Sequence, residues 1–334
     1  MIVAATPENI RQAAELLKSG QAVVFPTETV YGLGANAFNQ AAVDQIFEIK
    51  KRPVINPLIV HIRTAEQVFD VAAIKAGSLC QKRVELLLPL WPGPLSLVLP
   101  KKTVIAANVT ANLDTVAIRV PAHPVALALL NELDFPLAAP SANISSEVSP
   151  TSAEHVWQSL GERVPLILDG GECQVGLEST VLALHGEKPV LLRPGCVTRE
   201  ELEEILNERI EGFKIDHGDI VSSAAVPSPG LLQKHYTPKT RIILRGSLNP
   251  TLYPKRVGLI CFQDISLNSD GFEYTKVLQL SQRGDLEEIA RRLFAAIHQL
   301  DQMALDLIVV DVCPEQGIGA AIMDRLKRAC GSLK

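Results

Sequence analysis

Aromatic side chains make up only 4 % of this 334-residue chain, too few for a platform on which unpaired nucleic-acid bases could stack. The formal net charge is -5, so an extended basic face for duplex nucleic acid is not expected, although local basic pockets remain open. Six cysteines (Cys80, Cys173, Cys196, Cys261, Cys313 and Cys330) are dispersed without a CxxC pair. That spacing offers neither a zinc site nor a disulfide framework and predicts reduced, mostly buried thiols. No run of eighteen apolar residues occurs. The opening MIVAATPENIRQAAELL reads as a short apolar strand followed by an amphipathic helix, not as an export signal. A soluble, cytoplasmic protein without a membrane segment is expected. The common nucleotide and acyl-transfer signatures are missing as well: no P-loop, no GxGxxG, no GxSxG, and no evident Ser-His-Asp or Cys-His set.

What is present is a core. Apolar residues reach 47 % and charged residues 21 %, enough for about two folded domains. Apolar runs predict strands at 21–25, 57–62, 95–99, 115–120, 136–139, 165–168, 178–184 and 189–193. Helical periodicity fits 7–19, 40–50, 64–73, 75–88, 123–132, 152–160 and 198–208. Direct strand-to-strand links near 178–193 make the sheet mixed, giving an α/β domain over 1–208. From 209 to 239 the periodicity fails in a run rich in proline, glycine and serine, so a linker is predicted there. A second, smaller α/β unit over 240–334 follows, with strands in TRIILRG, RVGLICF, TKVLQL and DLIVVDV and helices at 285–300 and 318–330. Its sheet is expected to be parallel and Rossmann-like.

Chemistry concentrates at strand ends. The strand QAVVF leaves through FPTETVYGLGANA, where hydroxyls and one acid precede two glycines. In IKKRPVINPLIVHI a helix ends in Lys50 and Arg52 before a rigid proline turn. Those cations could merely favour the helix dipole, or could clamp a polyphosphate. His61, at the end of the next strand, reads equally as a satisfied core histidine. Thr115 and Arg119 share one face of TVAIRVPAH. An arginine in so apolar a strand needs an anion, either an internal carboxylate or a substrate group. APSANISSEVSPTSAEH adds Ser141, Asn143 and Ser149 before a helix start near Ser152; GLESTVL and LLRPG add Ser179 and Arg193. Small polar residues of this kind let a nucleotide approach the backbone.

Together, FPTETVYGLGANA, KKRPVINPLIVHI, AIRVPAH, APSANISSEVSPT and LESTVL with LLRPG resemble the YrdC domain of L-threonylcarbamoyladenylate synthases, over roughly residues 8–205. SPGLLQKHYTPKT and GIGAAIMDRLKRA further resemble the long, two-domain form. Leu231, Leu232 and Gln233 stand where that form usually has Met-Lys-Tyr. The resemblance implies a twisted mixed sheet with a concave active site. It implies a nucleotidyltransferase that makes L-threonylcarbamoyl-AMP and pyrophosphate from L-threonine, bicarbonate or CO2, and ATP. Mg2+ would be carried by ATP, and separate threonylcarbamoyl-transferase proteins would then modify tRNA, which this chain meets only indirectly.

Residue by residue, the resemblance assigns Thr29, His61, Arg119, Ala139 and Ser179 to L-threonine. It assigns Lys50, Arg52, Asn56, Thr115, Ser141, Asn143, Ser149 and Arg193 to ATP, with Lys50 and Arg52 as the catalytic clamp. His235 and Tyr236 would close over the nucleotide, while Gly32 and Gly34 would let the loop pass near the substrate. Two alternatives are a double-stranded RNA-binding module and a carbamoyl-transfer module of the hydrogenase-maturation kind. The latter carries acylphosphatase and zinc-finger-like segments that this sequence lacks.

Overall fold

Helices start where the sequence supplies a side-chain acceptor for the first unpaired amides. Thr6 caps Pro7–Lys18, Asn39 caps Gln40–Lys50, Ser152 caps Ala153–Leu160, Thr198 caps Arg199–Leu206 and Asp285 caps Leu286–Asp301. The computed structural model describes residues 1–212, 236–247, 255–263 and 273–330.

The N-terminal domain is built on an eleven-stranded sheet. In spatial order the strands are Ile2–Ala4, Ile167–Asp169, Val23–Phe25, Gly32–Asn36, Leu137–Ala138, Ile59–His61, Thr115–Arg119, Leu95–Pro100, Thr180–Ala183, Val190–Arg193 and Glu211–Gly212. It is mixed, as expected. Ile59–His61 runs parallel to Thr115–Arg119, whereas Leu95–Pro100 runs antiparallel to it.

The structure departs from the sequence reading in several places. Gly32–Asn36, expected as a loop, is a strand that pairs antiparallel with Val23–Phe25. A Cβ on Gly34 would lie 2.7 Å from the Phe25 ring, so this glycine makes room for a core aromatic. The expected helix at 64–73 is only a 3-10 turn, Ala65–Gln67, and a single turn, Val68–Val71. The expected helix at 75–88 begins only at Leu79, after its Ser78 cap. Past residue 208, Glu211–Gly212 adds a parallel edge to Val190–Arg193. Residues 213–235, which hold Leu231 to Gln233, His235 and most of the expected linker, lie outside the described residues.

Among the described residues the C-terminal domain has four strands, in the order Ile242–Leu244, Leu307–Val310, Val257–Cys261 and Tyr274–Gln279, all paired in parallel. Helices Leu286–Asp301 and Ile318–Cys330 cover it. Its apolar core does not stop at the domain boundary: Val30, Val148 and Leu177 of the N-terminal domain pack into it. His155 and His298 stack across the junction at 4.1 Å. Gly176 is required there, because a Cβ would lie 2.3 Å from the Arg291 carbonyl oxygen. Among the described residues no helix is long and apolar enough to cross a membrane, and all six cysteines are free thiols.

Candidate active site

Beyond Phe25 the chain turns on Thr27. Its hydroxyl accepts from the amides of Thr29 and Val30 at 3.3 and 3.2 Å and donates to the Val30 carbonyl at 2.6 Å. Side-chain bonds thus replace the lost ladder bonds and hold Glu28 and Thr29 inward. Arg119, at the end of its strand, meets them. Its Nη2 donates to both Glu28 carboxylate oxygens at 2.8 and 2.9 Å, and its Nη1 to Thr29 Oγ1 at 3.1 Å. Glu28 also accepts from the Ala122 amide at 3.0 Å. The internal carboxylate foreseen as one partner for Arg119 is therefore Glu28. Arg119 Nε is nevertheless buried without a hydrogen-bond partner among the described residues.

Strand register sets His61 beside Arg119. Its Nδ1 lies 3.2 Å from the Ile59 carbonyl, which holds the proton on that nitrogen and leaves Nε2 as an acceptor. Burial, and then the Arg119 charge, push its pKa down to about 3. His61 is therefore a neutral imidazole, packed edge-on against Phe25 at 5.9 Å.

On the opposite wall, Arg193 Nε donates to the Ser179 carbonyl at 3.0 Å and its Nη2 to Ser179 Oγ at 3.2 Å. Ser179 Oγ also shares a hydrogen bond of 2.8 Å with Ser96. Gly195 permits this approach, since a Cβ there would sit 2.3 Å from the Thr180 amide. Arg52 completes the basic side. Its Nε donates to the Asn56 carbonyl at 3.0 Å and its Nη2 to the Pro57 carbonyl at 2.8 Å. Burial, followed by repulsion from Arg193, lowers its pKa to about 9.

These walls border an open cleft with a cavity of about 50 Å3, lined by Thr29, Arg52, His61, Arg119, Ala139, Ser141, Ser179 and Arg193, with Thr27, Val30 and Glu178 among the others. The remaining expected site residues that the structure describes lie behind it or away from it. Lys50 is buried with its ammonium on the carbonyl oxygens of Ser141 and Asn143, where desolvation and then Arg52 hold its pKa well below the usual lysine range. Asn143 supports the same loop through the Ile144 and Glu147 carbonyls, both at 2.9 Å. Asn56 is wholly buried, its amide atoms without partners among the described residues. Ser149 Oγ donates to Glu178. Thr115 pairs with Pro100 at the far end of its strand and does not line the cleft. Tyr236 is buried against Phe294, ring centroids 5.4 Å apart, with burial raising its pKa.

Glu28, Ser96, Glu178 and Arg325 were not foreseen as site residues. Glu28 could have been, as the one acid beside a strand whose lone arginine needed an anion. Arg325 falls on the helix face of Ile322, Leu326 and Ala329, a position where a charge demands a partner. Among the described residues no group of three or more His, Cys, Asp or Glu side chains could hold a metal ion.

Comparison with known proteins agrees across both domains. A family model described as telomere recombination, spanning Sua5, YciO and YrdC, matches residues 15–195. The model of the threonylcarbamoyl-AMP synthase C-terminal domain matches residues 197–331. The threonylcarbamoyl-AMP synthase of Pyrococcus abyssi is 42 % identical, covering 96 % of this chain and 94 % of its own length. That of Bacillus subtilis is 41 % identical, covering 96 % and 93 %. The crystal structure of P. abyssi Sua5 complexed with L-threonine matches with a TM-score of 0.85 at 38 % identity, covering 99 % of this chain and 97 % of that one. This chain belongs to the threonylcarbamoyl-AMP synthase family, in its long two-domain Sua5 form.

Proposed function

We propose that this protein condenses L-threonine, bicarbonate or CO2, and ATP into L-threonylcarbamoyl-AMP and pyrophosphate. The observation that carries the reading is the meeting of Arg119, His61, Ser179, Arg193 and Arg52 in one cleft, in a chain of this family. The buried Nε–H of Arg119 suits the threonine carboxylate, because a hydrogen bond to an anion there would satisfy a donor that has no partner among the described residues. The Nε2 lone pair of His61 suits a donor of the same substrate, its ammonium or its hydroxyl. Ala139 and Val30 offer apolar contact for the threonine methyl.

The neutral threonine amine adds to CO2, forming the N–C bond and releasing one proton. The resulting N-carboxylate oxygen attacks the α-phosphorus of ATP, and pyrophosphate leaves with the electron pair of the broken P–O bond. Both reactants are charged, so positioning and electrostatic stabilisation carry the rate. Arg52 and Arg193 would hold the phosphates, with Ser141 offering a neutral contact. Lys50, Asn143 and Ser149 act, in this reading, through the loops they brace. Mg2+ would arrive on ATP as part of the substrate and offset phosphate charge. Downstream threonylcarbamoyl-transferase proteins would pass the product to tRNA. The free thiols fit a reducing, cytoplasmic setting.

Incubating the protein with ATP, Mg2+, bicarbonate and single amino acids tests the reading. Pyrophosphate release should require threonine and bicarbonate together; release indifferent to threonine would reject it. The double-stranded RNA-binding alternative has no support among the similar proteins.

A further inference from the structure

Arg325 belongs to the last helix of the C-terminal domain, yet its guanidinium is buried at the catalytic cleft of the other domain. Its Nε donates to Glu178 Oε2 at 2.9 Å and its Nη2 to the Glu178 carbonyl at 3.3 Å. Its Nη1 donates to the Pro194 carbonyl at 2.9 Å and to Asp324 at 2.8 Å. The guanidinium also lies over the Tyr236 ring, 5.6 Å from its centroid. Glu178 immediately precedes Ser179, and Pro194 immediately follows Arg193. One planar fork thus grips the residue before one cleft-lining group and the residue after the other. The same Glu178 carboxylate accepts from Ser149 through its second oxygen.

We propose that Arg325 is a positioning residue for the condensation, through which the C-terminal domain fixes the spacing and orientation of Ser179 and Arg193. This rests on the roles given above to those two side chains. Arg325 touches no reactant; it acts through two strand ends. The planar fork is the point: lysine would keep the charge but could not bridge a carboxylate and two carbonyls in fixed directions. The C-terminal domain is then part of the active-site framework, and the domain junction has a catalytic purpose beyond apolar burial.

The test compares Arg325→Lys with Gln302→Ala in the full chain. Gln302 also bonds across the junction, to Gln158 at 2.6 Å, but does not line the cleft. Steady-state pyrophosphate release and thermal midpoints are measured for both. Arg325→Lys should lose about 10- to 100-fold in kcat/KM for threonine and for ATP, while Gln302→Ala stays within about twofold of the parent, as expected of preorganisation at a rigid site. A double variant, Glu178→Gln with Arg325→Met, leaves no buried carboxylate facing a lost cation and guards against simple unfolding. It should fold and remain at least 10-fold impaired. Folded Arg325→Lys with parental kcat/KM overturns the proposal, as does recovery of activity in the double variant. An inactive parent protein would instead overturn the assigned reaction, so the two failures are distinguishable.

Discussion

Glu28 and Arg119, 91 residues apart in the chain, form a buried two-oxygen ion pair at 2.8 and 2.9 Å. Both lie below the surface, at 4 % and 2 % exposure. The pair explains why an acid sits among the hydroxyls that follow the first core strand. The carboxylate balances a cation that the sheet cannot otherwise tolerate, and orients it with its Nε–H unpaired among the described residues.

Glu28→Gln therefore has two expected effects. Removing one partner of a buried pair leaves the other charge uncompensated, so stability should fall by about 3 kcal/mol in denaturant titrations. The KM for threonine should rise at least several-fold while that for ATP changes little, since the disturbed guanidinium is the one assigned to the carboxylate. A variant as stable as the parent, with parental threonine KM, would dissolve this account.

Arg52→Ala tests the phosphate side. The substitution removes a cleft-lining cation together with two bonds to loop carbonyls. A loss of about 100-fold or more in pyrophosphate release is expected, the order found when one preorganised electrostatic group is removed. Near-parental turnover would take Arg52 out of the mechanism.

Much of this was legible in the sequence because the signals were local. The helix at 40–50 and the strands around Leu95–Pro100 and Thr115–Arg119 follow directly from their periodicity. Glycine in Gly32–Asn36 hid a strand, because its low strand propensity says nothing about the Phe25 ring that occupies the missing Cβ positions. For Arg52, Arg119 and Arg193, chain order supplied the residue type and strand end. It could not supply the partners, which come from segments far away in sequence. Lys50 illustrates the limit: a lysine in a last helical turn looks like an exposed cation, yet tertiary packing puts its ammonium on the carbonyls of Ser141 and Asn143. Arg325 was the hardest to read, since one of its two carboxylate partners, Glu178, lies in the other domain.

Acid should weaken the fold through its histidines. Burial holds His61 and His155 to pKa values of about 3, against an ordinary 6.5, with the Arg119 and His298 charges adding respectively. Burial also lowers His298. Their folded forms stay neutral while the unfolded chain binds protons below about 6.5, so stability drops as pH falls from there toward 3. His61 and His155 each take about 1.4 kcal/mol per pH unit in that window. His155→Phe preserves the aromatic stack and removes one titration. Its denaturation midpoint should fall less between pH 7.5 and 5 than the parent's. Equal slopes would show that His155 is not held neutral.

Two glycine substitutions separate packing from catalysis. A Cβ on Gly195 would meet the Thr180 amide nitrogen at 2.3 Å and the Ser179 carbonyl carbon at 2.8 Å. Backbone atoms cannot swing aside, so Gly195→Ala must shift Ser179 itself, and turnover per folded molecule should fall at least 10-fold. Gly34→Ala clashes with the Phe25 ring, at 2.7 Å, and meets the Leu137 side chain only at contact distance, 3.5 Å. Overpacking of this kind costs about 1–3 kcal/mol but leaves the cleft walls in place, so its midpoint should drop while kcat holds. Were Gly34 needed for substrate approach instead, its variant would lose activity at full stability, the reverse of the order expected here.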